Sequence, residues 1–114
     1  MALYSLGICY ENGEGVSKSF AKAIEYYSRG SSLGLEACSY KLGCLYSEED
    51  LHQDYGKAVH YMKVAVHQRS EAAFCDLGMW YMEGECGLPV DKAQGIELIT
   101  KAAEDGLQMA QYNR

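Results

Sequence analysis

The residues in this chain with the potential for metal chemistry are three histidines and a short acidic run. His60 and His67 are seven residues apart on one predicted helix, which separates them by two turns, or about 10 Å. Zinc ligands on a shared helix are usually three or four residues apart, so this spacing favours solvated or half-packed histidines. His52 follows the acidic run 48–50, which lacks the alternating ligand spacing of a calcium loop. The sequence therefore predicts no metal site and no cofactor.

The five cysteines do not form a disulfide framework, because their number is odd and their spacing irregular. Most fall on apolar helix faces, where cysteine behaves as a small hydrophobic residue. We therefore predict reduced core thiols and a reducing compartment such as the cytoplasm. Cys86 falls in a loop and is expected to be the most exposed, but no histidine lies near it to act as a base. The five are Cys9, Cys38, Cys44, Cys75 and Cys86.

The loop Gly13-Glu14-Gly15 has only a superficial likeness to a phosphate-binding loop. No strand precedes it and no Gly-Lys-Ser/Thr follows it, so its glycines fit turn positions with positive φ better. With these motifs set aside, no catalytic constellation remains, and we predict that the protein is not an enzyme.

The charge and hydropathy of the chain argue against two classes of partner, nucleic acids and membranes. The net charge is −6, and the ten lysines and arginines are scattered without a run. Nucleic acids and anionic membrane surfaces both attract basic stripes, so neither is a predicted partner. No apolar stretch approaches the ~20 residues that span a bilayer. The length of 114 residues suits a single domain.

An internal repeat is the main signal in the chain. The dipeptide Leu-Gly recurs at spacings of 36 and 35 residues. A small residue precedes each Leu by four positions, and a Tyr follows each Gly by three, which places all four on one helical face. Glycine inside a helix costs about 1 kcal/mol relative to alanine, so its recurrence predicts close approach of a second helix. The three copies are Ala2-Leu6-Gly7-Tyr10, Cys38-Leu42-Gly43-Tyr46 and Ala73-Leu77-Gly78-Tyr81.

A second helical pattern follows each Leu-Gly helix. Ser19, Asp54 and Asp91 open these helices as N-caps, and an apolar residue three positions earlier is a candidate plug over each helix end. Gly34 and Gly106 are predicted to end the second helices of the first and third copies, and Arg69 stands in that place in the middle copy. The predicted helical segments are 2–12, 19–32, 36–47, 54–67, 71–83, 91–105 and 109–114, and the candidate plugs are Val16, Leu51 and Leu88.

This combination of residues resembles the Sel-one-like repeat, a relative of the tetratricopeptide repeat. The resemblance covers essentially the whole chain and divides it into repeats at 1–35, 36–70 and 71–107, with the start of a fourth at 108–114. It implies an all-α solenoid, a right-handed superhelix of antiparallel helix pairs, in which first helices line the concave face. Some secreted relatives bridge a Cys in the small slot of the first helix to a Cys at the end of the second. Here Cys38 fills the first slot, but Ala65 and Val66 fill the second, which argues against that bridge.

The resemblance implies a scaffold or adaptor that binds a protein or peptide on the concave face. Several of the candidate positions are apolar or soft, as in the centres of peptide grooves. The alternative for these side chains is packing against the neighbouring repeat. An alternative function is a spacer or oligomerisation segment of a longer solenoid, with self-association through the solenoid ends. The candidate groove residues are Tyr4, Ile8, Tyr40, Lys41, Cys44, Cys75, Asp76 and Met79.

Overall fold

The computed structural model describes residues 2–48 and 53–112, and over those ranges the chain forms six α-helices and no strand. Consecutive helices pack in pairs, α1 on α2, α3 on α4 and α5 on α6, and each pair packs on the next through α2 with α3 and α4 with α5. The all-helical repeat solenoid expected from the sequence is confirmed. The helices are α1 (Ala2–Asn12), α2 (Phe20–Ser32), α3 (Glu36–Ser47), α4 (Tyr55–His67), α5 (Glu71–Glu83) and α6 (Lys92–Tyr112).

The second helix of each pair starts in the same way. The side chains of Ser19, Asp54 and Asp91 accept a hydrogen bond, at 3.1–3.2 Å, from the backbone N–H three residues later. The backbone N–H of each cap also donates, at 2.8–2.9 Å, to the carbonyl of the repeat tyrosine in the preceding helix. The side chain of each cap therefore accepts a hydrogen bond from an otherwise unpaired N–H of the first helical turn. The backbone N–H of the cap joins the end of the loop to the preceding helix in all three repeats.

The glycine of each Leu-Gly dipeptide lies where the first helix of a pair approaches the second helix closely. A Cβ atom on Gly43 would stand 2.8 Å from Cε of Met62, and one on Gly78 would stand 2.9 Å from the carbonyl oxygen of Gly95. Gly7 faces the ring of Tyr27 in the same way. The predicted close approach is thus confirmed, and it explains why a costly helical glycine recurs.

In each of the first two helix pairs, the repeat tyrosine of the first helix stacks on a tyrosine of the second helix. Tyr10 stacks on Tyr26 with ring centroids 5.6 Å apart, and Tyr46 stacks on Tyr61 at 6.0 Å. Lysine ammonium groups cover the same rings, because Lys22 lies 5.2 Å from the Tyr10 centroid and Lys57 lies 5.3 Å from that of Tyr46. In the third pair Gln94 and Leu98 occupy the corresponding positions, so the stack is absent there.

Two core clusters form between the repeats. The first core cluster joins repeats one and two, and the second joins repeats two and three. Burying these side chains is the main source of stability in a stack where each repeat touches only its neighbours. The first core cluster is Ala23, Tyr27, Cys38, Leu42 and Leu45. The second is Ala58, Met62, Ala65, Ala73, Phe74, Leu77, Trp80, Leu98 and Ala102.

A buried polar network supplements the first interface. Ser31 and Ser39 share a hydrogen bond of 2.7 Å between their hydroxyls, and Ser39 donates to Oε1 of Gln68 at 2.7 Å. Nε2 of Gln68 donates to the carbonyl of Ser31 at 3.2 Å. Three helices, α2, α3 and the end of α4, are therefore joined by groups that satisfy one another away from water.

The ends of the second helices differ among the copies. Gly34 follows α2 in the left-handed region at φ 88°, and Arg69 takes the same conformation after α4 at φ 71°. The predicted stop at Gly106 is wrong, because α6 continues as one helix to Tyr112. A helix tolerates an internal glycine at a cost of about 1 kcal/mol relative to alanine, so glycine alone does not end it.

The candidate plugs also differ. Val16 is 39% exposed, whereas Leu88 packs against the second core cluster. Leu51 lies outside the described residues.

Candidate partner-binding face

The candidate groove residues all lie on α1, α3 and α5, and we call this surface the first-helix face. Four of them are partly buried and pack against the core. Tyr4 and Ile8 contact the first core cluster, and Tyr40 and Cys44 contact the second. Packing against the core clusters therefore accounts for part of their apolar character.

Two groove residues on α5 remain open to solvent. Met79 is 44% exposed, and Cys75, one helical turn earlier, is also exposed. Leu77 between them is 3% exposed because it points into the second core cluster. The accessible apolar part of the first-helix face thus lies on the third repeat.

Polar groove residues form links between repeats. Tyr40 Oη donates to Oδ2 of Asp76 at 2.7 Å, joining α3 to α5. Lys41 Nζ lies 3.3 Å from Oε1 of Glu11, and the same carboxylate oxygen accepts a 2.7 Å hydrogen bond from Tyr27 Oη. The sequence predicted Lys41 and Asp76 on this face but gave no sign that Glu11 is the acceptor for a core tyrosine on α2.

These contacts determine the ionisation of the tyrosines. Burial raises the pKa of Tyr27, and its hydrogen bond to the Glu11 carboxylate raises it further. The pKa of Tyr40 is raised by burial and by the bond to Asp76. Both hydroxyls are therefore neutral donors at physiological pH.

The cysteines are free thiols, and their exposure differs from the sequence expectation. Cys38 is buried, and Cys75 on α5 is exposed, whereas Cys86, predicted to be the most exposed, is half-buried. The reason is that its loop folds back onto the second core cluster. Burial raises the pKa of the Cys38, Cys44 and Cys86 thiols, the reverse of the shift that activates a nucleophilic cysteine.

Charge is divided between the two layers of helices. The helices α1, α3 and α5 carry five carboxylates and one ammonium group, that of Lys41. The helices α2, α4 and α6 carry four carboxylates and six cationic side chains. Since Glu11 already pairs with Lys41, the helices α1, α3 and α5 carry uncompensated negative charge.

The part of the chain that the structure describes has neither a metal-binding cluster nor a membrane-spanning helix. Within residues 2–48 and 53–112, no group of three or more His, Cys, Asp or Glu side chains is arranged to hold a metal ion. No helix in these ranges is long and apolar enough to cross a membrane.

Comparison with known proteins identifies the repeat. The family model described as the Sel1 repeat matches residues 1–35, 37–69 and 72–107. Among curated relatives, the rat protein DAP3-binding cell death enhancer 1 is 26% identical over 92 residues, covering 81% of this chain and 17% of its own length. The chitin synthase regulator SKT5 of Malassezia restricta is 28% identical over 116 residues, covering 97% of this chain and 8% of its own length. The chain thus spans only a small part of these relatives.

Solved structures share the fold. A protective antigen of uropathogenic Escherichia coli that displays an SLR fold superimposes with a TM-score of 0.83 at 32% identity, covering 92% of this chain and 22% of that one. A Sel1 repeat protein from Oxalobacter formigenes superimposes with a TM-score of 0.81 at 24% identity, covering 92% of this chain and 43% of that one.

Proposed function

Because the chain belongs to the Sel1 repeat family, we propose that it is a non-catalytic scaffold or adaptor. In this proposal the first-helix face is the concave face of the solenoid, and it binds a peptide or partner protein. Repeats of this family generally mediate protein–protein interactions, and the family and its structural neighbours are typically non-catalytic scaffolds. The names of the two curated relatives, one for binding DAP3 and one for regulating chitin synthase, support a role exercised through another molecule.

The observation that carries the proposal is the exposure of Met79 beside polar groups already fixed in place. Met79 is 44% exposed, and its flexible thioether side chain adapts to varied partner surfaces. Asp76, one turn away, is held by the 2.7 Å bond from Tyr40. An accessible apolar anchor next to an oriented carboxylate matches the composition of binding hot spots, where an apolar centre is bordered by polar groups.

The test is a site-specific photo-crosslinking experiment on the source cell's lysate. A photoreactive residue replaces Met79 in one protein and Ile96, which is 56% exposed on α6, in the control. We expect a protein that crosslinks through position 79 and not through position 96. That protein, once purified, should bind the parent chain at least about fivefold more tightly than the Met79→Ala or Tyr40→Ala/Met79→Ala variants. If the same protein crosslinked with equal yield through both positions, the interface would lie elsewhere.

The second candidate function is a spacer or oligomerisation segment within a longer solenoid. Leu6 is 39% exposed, whereas Leu42 and Leu77 at the same repeat position are 0% and 3% exposed. Leu42 shares a core cluster with α2 of the preceding repeat, and Leu77 shares one with α4, so the exposed Leu6 gives α1 a surface of the kind that repeats use for stacking.

Fusing an extra copy of residues 36–70 ahead of α1 tests this reading. Stacking on Leu6 should raise the melting temperature by several degrees, and Leu6→Lys in the fusion should abolish the gain. A fusion no more stable than the parent, together with a strictly monomeric parent at high concentration, would contradict the spacer function.

A further inference from the structure

A cavity of about 450 Å³ opens where the loops of the second and third repeats meet. Ser47 and Tyr55 line it from the second repeat, and Trp80 and residues 84–87 line it from the third. It lies at the C-terminal ends of α3 and α5 and beside the start of α4. None of the eight candidate groove residues lines it.

The cavity has aromatic walls. Tyr55 is 42% exposed, and Trp80, which is 9% exposed, belongs to the second core cluster and borders the cavity. The residue that corresponds to Trp80 in the second repeat is Leu45, so this wall is particular to the third repeat. Tryptophan and tyrosine faces attract ammonium and guanidinium groups. The packed helices of the second repeat already show that contact, since Lys57 on α4 lies 5.3 Å from the ring centroid of Tyr46 on α3.

The cavity also has a negative wall. Glu85 lines it, and among the described residues that line it there is no lysine or arginine. The side chain of Glu83 is the main cause of a raised pKa at the Glu85 carboxyl group, and desolvation is a smaller one. Burial, followed by the charge of Glu85, raises the pKa of the Cys86 thiol, so the thiol stays neutral. A carboxylate beside aromatic rings favours a cation over an anion or a neutral group.

We propose that this cavity binds a lysine or arginine side chain of the partner protein, with Glu85 pairing the cation and Trp80 and Tyr55 flanking it. This inference rests on the proposed function, because it names the chemistry of the partner. It also agrees with the uncompensated negative charge of α1, α3 and α5, which would attract a basic segment along the same face.

Trp80 is the single tryptophan of the chain, so its fluorescence reports on the cavity directly. The full chain is titrated with N-acetyl-arginine amide, with N-acetyl-citrulline amide as the neutral probe of the same shape. We expect a saturable change in Trp80 emission with the arginine probe at a millimolar dissociation constant, as for a fragment of a partner. The citrulline probe should give no saturable change.

Glu85→Gln removes the charge at an exposed position, and Glu14→Gln makes the same change in the first loop, away from the cavity. The first variant should bind the arginine probe at least about fivefold more weakly and the second as the parent does. Equal binding of the citrulline probe, equal affinity in Glu85→Gln, or no saturable change in the parent would each overturn the proposal.

The two experiments separate the two proposals. Arginine binding that Glu85 controls, together with equal crosslinking at positions 79 and 96, would keep the cavity site and discard the first-helix face as the partner surface. Selective crosslinking at position 79 without arginine binding would do the reverse.

Discussion

Tyr40 on α3 donates a 2.7 Å hydrogen bond to the carboxylate of Asp76 on α5, so the first helices of two consecutive repeats are joined directly. Glu11 and Lys41 join α1 to α3 by a 3.3 Å ion pair. The backbone packing between repeats runs mainly from a second helix to the next first helix. Polar side chains therefore fix the relative positions of the first helices, which contact one another little by themselves.

Removing the Tyr40 hydroxyl is expected to weaken the joint between repeats two and three. In Tyr40→Phe, Asp76 keeps its charge but loses its donor, at a cost of about 1–2 kcal/mol for a half-buried bond to a charged group. The control is Tyr4→Phe at the same position in repeat one, since no side-chain hydrogen bond joins Tyr4 to another described residue. Urea unfolding of both variants measures the difference, and equal free energies of unfolding would contradict it.

Alkaline pH is expected to destabilise the fold through Tyr27 and Tyr40. Both pKa values are raised above the ordinary tyrosine value of 10.0. Their contribution is therefore complete below about pH 10 and is lost as the pH rises above it, because the unfolded chain then releases protons that the folded chain retains. Each tyrosine should lower the free energy of unfolding by up to about 1.4 kcal/mol per pH unit.

Urea unfolding between about pH 9 and pH 11 measures this slope. The Tyr27→Phe and Tyr40→Phe variants should each flatten it. A slope that is the same in the parent and in both variants would show that other groups cause alkaline unfolding.

Filling the space at Gly43 is expected to cost stability. A Cβ there would stand 2.8 Å from Cε of Met62 and 3.3 Å from the carbonyl oxygen of Ala58. Gly43→Leu should therefore cost about 3 kcal/mol through overpacking. Gly56→Leu, on the exposed start of α4, should be neutral or slightly stabilising, because leucine favours the helix. Thermal unfolding compares the two, and a melting temperature of Gly43→Leu within a degree or two of the parent would contradict close packing at Leu-Gly.

Arg69 occupies a backbone conformation that favours glycine, with φ 71° after α4. Glycine has no Cβ to strain there, whereas an L-residue pays about 1 kcal/mol or more. Arg69→Gly should therefore be more stable than Arg69→Ala by about 1 kcal/mol, a comparison in which both variants lose the arginine side chain equally. If Arg69→Ala proved as stable as Arg69→Gly in chemical unfolding, the left-handed conformation would not be costing stability.

Much of the architecture was predictable from the sequence because the same local patterns occur again in successive repeats. Leu-Gly with its small residue and tyrosine predicted three first helices, and Ser19, Asp54 and Asp91 predicted the caps that the structure shows. The end of α6 was not predictable from Gly106, because a glycine ends a helix only when the following chain turns back, and here the helix continues. The exposure of Cys75 and the half-burial of Cys86 likewise depend on how a loop folds over the core.

The sequence by itself determined the repeat, the helix pairing and the positions of the first helices, because periodic apolar spacing and N-caps act within a few residues of one another. The tertiary structure decided which of those positions remain exposed to solvent. Tyr40 and Asp76 are 36 residues apart, and Glu85 and Tyr55 come to one cavity from different repeats. Such contacts depend on the rotation between stacked helix pairs, which is set by side-chain packing across the interface and leaves no local pattern in the sequence.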